Sequence, residues 1–130
     1  MIPNQARLLR TLEGEGTLSK DWRPAFEQVP RHLFVPDAAW LIENGRTPID
    51  RAAGEDAWLT AAYADEPIII QWDDGASSGD NPDAAATSSL SMPTIVAIML
   101  RELLISDGMR VLEIGTGSGW NAALLQRLKG

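Results

Sequence analysis

The sequence feature that most constrains the fold is a short apolar run followed by three evenly spaced glycines. The run and the glycines form the segment RVLEIGTGSGW at residues 110–120, with glycine at positions 115, 117 and 119. Glycine relieves the backbone strain of a tight turn and lets a ligand lie against the main chain. The segment therefore predicts a buried strand over 110–114, a ligand-binding loop and a helix over 120–129, as at the carboxyl ends of strands in open α/β sheets.

The spacing of these glycines distinguishes the loop from two common nucleotide-binding loops. A dinucleotide-binding fingerprint has the pattern G-x-G-x-x-G, which would place its third glycine at position 120, but that residue is Trp120. A phosphate-binding P-loop needs a Gly-Lys-Ser/Thr triplet, and the sequence contains none. The pattern is instead Glu-x-Gly-x-Gly-x-Gly, beginning at Glu113, so a nucleotide-dependent oxidoreductase is disfavoured.

Residues 1–90 predict a region of short helices and loops. A β-branched run opened by proline, PIIIQW at 67–72, predicts one strand. Residues 43–56 and 73–89 are polar and contain several glycines and prolines, so both are predicted to be loops. Helices are predicted over 3–13, 22–29 and 56–64.

Residues 91–130 predict the beginning of an α/β domain. The segment SMPTIVAIMLRELL at 91–104 predicts a helix with a wide apolar face, so we expect this helix to be largely buried. Ser91 is a candidate N-cap of that helix, and Pro93 suits its first turn because the missing N–H is harmless there. The chain is thus expected to divide into a helical and loop region at 1–90 and an α/β unit at 91–130.

Composition and charge exclude several classes of function. The chain has no cysteine, which excludes disulfides, thiolate metal sites and cysteine nucleophiles. Its net charge is −7, and residues 61–90 carry six acidic and no basic side chains, so binding to a nucleic-acid backbone is not expected. No apolar run approaches the roughly 18 residues needed to cross a bilayer, and a soluble cytoplasmic protein is expected.

Histidine and aspartate residues are the candidate metal ligands in this sequence. His32 lies in PRHLFVP with no second ligand near it in the sequence, so we expect a structural or surface role for it. Asp73, Asp74, Asp80 and Asp83 lack the ligand spacing of a calcium-binding loop and are expected to lie in a solvated loop. The sequence therefore predicts no metal site.

Four segments of the chain resemble one enzyme family. The Glu-Gly pattern at 113–119 resembles the first motif of class I S-adenosylmethionine-dependent methyltransferases. Within that class, the sequence is similar to the protein-L-isoaspartate O-methyltransferases in FEQVPRHLFVP (26–36), AYADEPIII (62–70), SMPTIVAIMLRELL (91–104) and RVLEIGTGSGWNAALL (110–125). The resemblance implies a Rossmann-like α/β fold, S-adenosylmethionine as methyl donor, and a peptide or protein acceptor bearing an aspartyl or isoaspartyl carboxylate.

The resemblance also assigns roles to individual residues. Ser91 corresponds to the family's active-site position, where its hydroxyl orients the acceptor carboxylate. A carboxylate is already ionised at neutral pH, so the chemistry needs no strong general base. The cofactor-binding residues implied by the family motif are Glu113, Gly115, Thr116, Gly117 and Gly119.

The sequence departs from the family in two respects. First, 54 residues separate Pro36 from Ser91, more than in compact repair enzymes, with the additional residues in 41–60 and 73–89. This leaves open an alternative function, a peptide-tailoring Asp O-methyltransferase of a ribosomal-peptide pathway. Second, a class I fold continues beyond the helix that follows the glycine loop. We therefore expect the chain to be the N-terminal part of such an enzyme, with weak or absent cofactor binding alone. A second alternative is an inactive truncated piece.

Overall fold

A computed structural model describes residues 1–43 and 45–128, and these segments contain five α-helices and four β-strands. The elements are α1 (Pro3–Gly14), α2 (Arg23–Gln28), β1 (Ala38–Leu41), β2 (Thr47–Asp50), α3 (Glu55–Ala62), β3 (Ile68–Trp72), β4 (Ala86–Leu90), α4 (Pro93–Glu102) and α5 (Trp120–Leu128). None of these helices has the length and apolar character that spanning a membrane requires. The expected cytoplasmic location stays a prediction.

The four strands form one antiparallel sheet in the order β2-β1-β3-β4. Ile69 of the central strand β3 pairs with Trp40 of β1 on one side and with Ser89 of β4 on the other. β4 therefore lies at an edge of the sheet and leads within three residues into α4. This connection places the start of α4, and Ser91 just before it, at the end of the edge strand.

The sequence predicted β3 and all five helices but missed β1, β2 and β4. Residues 43–56 were predicted to be a loop, yet they contain β2, whose Pro48 pairs with Trp40. Proline is tolerated there because β2 is an edge strand and its missing N–H breaks no internal ladder. The loop predicted over 73–89 likewise ends in β4, whose small polar residues form a strand through pairing with β3.

The acidic part of the 73–89 segment packs back onto the sheet. The guanidinium of Arg46 donates to the carbonyl oxygens of Asn81, at 2.6 Å, and of Ala84, and it lies 4.1 Å from the centre of the Trp72 ring. Gly79 lies so close to Trp40 that a Cβ there would come within 2.2 Å of the indole. Across residues 1–43 and 45–128, no three His, Asp or Glu side chains are grouped as metal ligands.

The predicted strand over 110–114 is not a strand in this structure. The segment has no paired neighbour among the described residues, and a strand exists only through hydrogen bonds to another strand. Its apolar side chains are consequently exposed, with Leu112 at 84% and Ile114 at 89%. The predicted strand–loop–helix unit is present here as an unpaired segment, the glycine loop and α5.

The hydrophobic core lies between the N-terminal helices, α5 and one face of the sheet. Leu9 and Leu12 of α1, Phe26 of α2 and Leu124 of α5 are almost fully buried and belong to one cluster with Ile68 of β3. α5 packs mainly on α2, so the helix that follows the glycine loop is fixed by the N-terminal region. The two regions of the chain share one core.

Among the described residues, Arg31 is the one charged residue that is buried. Arg31 begins a short 3₁₀ turn, Arg31–Phe34, and only 1% of it is exposed. Its guanidinium donates to the carbonyl oxygen of Ala62 at 2.9 Å and to that of Glu66 at 3.2 Å, and it lies 4.5 Å from the centre of the Trp120 ring. Burial lowers the pKa of Arg31 to about 10, so the side chain remains a cation at neutral pH.

Replacing Arg31 with alanine is expected to lower the free energy of unfolding by about 3 kcal/mol, because two carbonyl groups lose their donor and Trp120 loses its cation. Urea denaturation followed by circular dichroism measures the change. Arg10→Ala, an exposed arginine of α1, is the control and should change stability by less than about 0.5 kcal/mol. Equal losses in the two variants would contradict a structural role for Arg31.

Candidate functional site

A cleft of about 420 Å³ lies between the end of β4, α4, the 111–118 segment and the start of α5. Its lining includes four of the six residues predicted from the sequence to form the site: Ser91, Glu113, Gly115 and Thr116. Ser91 is more than twenty positions before the other three residues in the sequence. The structure therefore brings the predicted acceptor-binding residue and the predicted cofactor-binding loop to one cavity.

The three glycines of the loop adopt backbone conformations that other residues disfavour. The φ angles are +75° at Gly115, +58° at Gly117 and +93° at Gly119, all in the left-handed region. A Cβ at Gly115 or Gly119 would meet no atom within 4 Å, so backbone conformation rather than crowding requires glycine there. The loop thus presents bare main chain to open space, as the sequence predicted.

Gly117 and Gly119 lie beside the cleft rather than in its lining. Gly117 and Gly115 line an adjacent recess of about 300 Å³ together with hydroxyl residues of β4. The N–H of Gly119 donates to the carbonyl oxygen of Thr116 at 3.0 Å, which closes the turn that starts α5. Direct cofactor contact by Gly119 stays a prediction, and the structure gives this residue a turn-forming role.

Glu113 has an unsatisfied carboxylate oxygen at the cleft. The side chain is partly buried, its Oε2 is inaccessible to solvent, and this atom has no hydrogen-bond partner among the described residues. A buried carboxylate oxygen without a donor is costly, since it has lost water and gained nothing in return. A cationic amino group of a ligand in the cleft would supply the missing donor.

Ser91 is not the N-cap of α4, contrary to the prediction. The helix begins at Pro93, Met92 occupies the N-cap position, and no side chain there caps the helix. Asp65 instead accepts the N–H of Thr94 at 2.8 Å. Ser91 lies one residue too early to cap the helix, and it is exposed at the cleft.

Helix α4 is less buried than predicted, because one side of it forms a wall of the cleft. Val96, Ala97 and Leu100 are buried against the core. Met99, exposed by 64%, and Leu103, exposed by half, line the cleft and remain accessible. The wide apolar face predicted from the sequence therefore divides into a core side and a cleft side.

Polar lining residues that the sequence did not predict include Ser118 and Asn121, and Trp120 lies between them in the lining. They lie within or directly after the glycine motif, and that proximity was the available signal. Trp120 is 4% exposed, donates from Nε1 to the carbonyl oxygen of Val29 at 3.3 Å, and contacts Phe26 edge-on at 5.6 Å between ring centres. Its position is therefore fixed by the core.

His32 lies outside the cleft and bonds to Tyr63. Its Nδ1 is 2.6 Å from the hydroxyl oxygen of Tyr63. Partial burial lowers the pKa of His32, the cation of Arg51 lowers it further, and Glu55 acts in the opposite direction. This arrangement agrees with the structural role expected from the sequence.

Comparison with known proteins identifies similar sequences. The profile of the Protein-L-isoaspartate(D-aspartate) O-methyltransferase family matches residues 41–130. The protein-L-isoaspartate O-methyltransferase of Methanococcoides burtonii is 35% identical over 123 residues, covering 95% of this chain and 44% of the relative. That of Maricaulis maris is 33% identical, covering 97% and 44%, and that of Thermococcus onnurineus is 37% identical, covering 90% and 39%.

The chain thus spans roughly two fifths of the length of these curated relatives. The matches cover nearly all of it, so the cleft, α4 and the glycine loop all fall inside the aligned region. The mixed helices and strands, with a small antiparallel sheet, are consistent with part of a class I methyltransferase fold.

The pKa of His32 should be below its ordinary value of 6.5 because burial disfavours the charged imidazole. At pH values between the pKa of His32 in the folded chain and that in the unfolded chain, the unfolded chain binds more protons. The free energy of unfolding therefore falls as the pH decreases through this range. Nuclear magnetic resonance can follow the single imidazole of the chain without assignment ambiguity. His32→Gln should flatten the stability profile in that window, and a measured pKa above 6.5 would contradict the prediction.

Proposed function

This chain belongs to the protein-L-isoaspartate O-methyltransferase family, and from that premise we propose that it carries the cofactor-binding and acceptor-orienting residues of an isoaspartyl carboxyl methyltransferase. The observation that supports the proposal best is the convergence of Ser91, Glu113, Gly115 and Thr116 on one cleft. Because the chain spans less than half of each relative, the activity of the whole enzyme and its peptide or protein substrate are part of the proposal.

The residues of the cleft fit S-adenosylmethionine, which supplies an electrophilic methyl group on a cationic sulfur when bound. The bare main chain at Gly115, which lines the cleft and has open space where a Cβ would lie, gives room for the amino-acid end of this molecule. Glu113 lines the cleft and its Oε2 lacks a hydrogen-bond partner among the described residues, which supports its assignment as the acceptor for the cofactor's amino group. Thr116 contributes a further polar side chain to the lining.

Ser91 is suited to orient an acceptor carboxylate. It is exposed at the cleft directly before α4, where its hydroxyl is available to donate a hydrogen bond to a carboxylate. The acceptor is ionised at neutral pH, so this chain needs to supply orientation rather than a base. Val96 and Leu100, although buried, also contribute apolar side chains to the lining, and apolar surroundings favour a reaction in which opposite charges are consumed.

The relatives favour the isoaspartyl function over the peptide-tailoring alternative. The additional residues at 41–60 and 73–89 were the reason for considering that alternative. The matches to isoaspartate methyltransferases cover 95% and 97% of this chain, so both segments lie within the aligned region. In the structure these segments form β2 and the packed loop before β4, which complete the sheet.

Gly115→Ala is expected to weaken S-adenosylmethionine binding by about tenfold, because a non-glycine residue in the left-handed region is strained and its methyl group occupies the ligand's space. Gly108→Ala is the matched control, since Gly108 also has a positive φ, of +82°, in open space but outside the cleft. Titration with S-adenosylmethionine, followed by the chemical shifts of backbone amide resonances, measures the affinity of both variants. Equal losses of affinity in the two variants, or chemical-shift changes only away from residues 115–117, would contradict the proposed site.

Glu113→Gln separates a binding role from a structural one. Removing a charge that lacks a partner should leave the free energy of unfolding within about 0.5 kcal/mol of the wild type or raise it. The same change should weaken S-adenosylmethionine binding by about tenfold, because the charge-assisted hydrogen bond is lost. Glu102→Gln, on the exposed side of α4, is the control. A loss of stability with unchanged binding would contradict the proposed role.

A further inference from the structure

The start of α4 is capped by a residue from another part of the chain. Asp65 lies between α3 and β3, and its Oδ1 accepts the backbone N–H of Thr94 at 2.8 Å. Its other oxygen, Oδ2, accepts the hydroxyl of the same threonine. Both carboxylate oxygens thus bind the first turn of the helix, where free N–H groups and the helix dipole favour a negative charge.

This external cap determines what Ser91 is free to do. Serine near a helix start commonly uses its hydroxyl to accept a free N–H of the first turn. Here Asp65 satisfies that donor, the helix begins only at Pro93, and Ser91 remains exposed on the cleft. The hydroxyl of Ser91 is therefore left available for a ligand.

Asp65 is itself held in place by the buried Arg31. The two hydrogen bonds of Arg31 go to the carbonyl oxygens of Ala62 and Glu66, which lie on either side of Asp65 in the chain. The carboxylate of Asp65 also interacts electrostatically with the guanidinium. The segment 62–66 is consequently bonded to the guanidinium near both of its ends, and it carries the carboxylate that caps α4.

We propose that Asp65, acting through Thr94, is the positioning residue for the Ser91 hydroxyl. The inference rests on the proposed function, because it assumes that Ser91 orients the acceptor. Asp65 does not line the cleft and is not itself a catalytic residue. Its role is to fix the turn between β4 and α4, which sets the direction in which Ser91 faces.

A double-mutant cycle on acceptor binding tests the proposal. The probe is a short peptide with one isoaspartyl residue, titrated into the chain in the presence of S-adenosylhomocysteine, which prevents turnover. Ser91→Ala should weaken peptide binding by about tenfold, the loss expected for one hydrogen bond to a charged group. Thr94→Val keeps the side-chain shape but removes the hydroxyl bond to Asp65, and it should weaken binding in the same direction.

The coupling between the two substitutions is the decisive measurement. If Asp65 and Thr94 act only by positioning Ser91, the double variant should bind no more weakly than Ser91→Ala alone. Thr94→Ser retains a hydroxyl and should restore wild-type affinity. Thr60→Val is the control, because Thr60 is also a helical threonine that donates its hydroxyl, to the carbonyl oxygen of Asp56 at 2.9 Å, and it does not line the cleft.

The outcomes distinguish this inference from the proposed function. If Ser91→Ala weakens binding but Thr94→Val does not, or if the two losses add independently, the positioning role is wrong and the proposed function stands. If the wild-type chain does not bind the peptide, or Ser91→Ala binds like the wild type, the role assigned to Ser91 is wrong and this inference fails with it. Asp65→Ala, checked for folding by circular dichroism, should reproduce the loss seen for Thr94→Val.

Discussion

The buried guanidinium of Arg31 is the interaction on which the rest of the structure depends. It joins three parts of the chain that are distant in sequence: its own 3₁₀ turn, the segment after α3 and the first residue of α5. A cation inside an apolar core is costly unless hydrogen-bond acceptors and negative or π-electron density around it compensate. Two carbonyl oxygens and the face of Trp120 provide most of that compensation, while Nη1 has no partner among the described residues, so these groups must keep their positions.

The geometry of the cleft depends on the contacts of Arg31. Trp120 connects the guanidinium to the glycine loop, which directly precedes it, and the 62–66 segment connects the guanidinium to the start of α4. The starts of α4 and α5, which both border the cleft, are therefore both held in place through Arg31. For a methyl transfer to a carboxylate, which is already ionised, accurate placement of the two partners is the main service a protein can supply.

The sequence predicted much of this arrangement, and its failures have physical causes. The helices and β3 have clear apolar periods or β-branched runs, and the glycine spacing indicated both the loop and its backbone conformation. β2 and β4 carry no such signal, because TPID and ATSSL become strands only through pairing with neighbours. The cap on α4 was assigned to Ser91 because a local pattern shows only local partners. The actual partner, Asp65, is 29 positions away from Thr94. The burial of Arg31 was not predicted either, because arginine is usually exposed.

The segment 110–114, before the glycine loop, is unpaired and exposes apolar side chains. Val111, Leu112 and Ile114 form a short, β-prone and solvent-facing strip with unpaired backbone groups, which is the kind of surface that seeds intermolecular sheets. Arg110 and Glu113 interrupt the strip with opposite charges, as gatekeeper residues do in aggregation-prone sequences. An exposed apolar strip of this kind favours pairing with a further β-strand, and the exposed charge of Arg110 at its start opposes indiscriminate pairing.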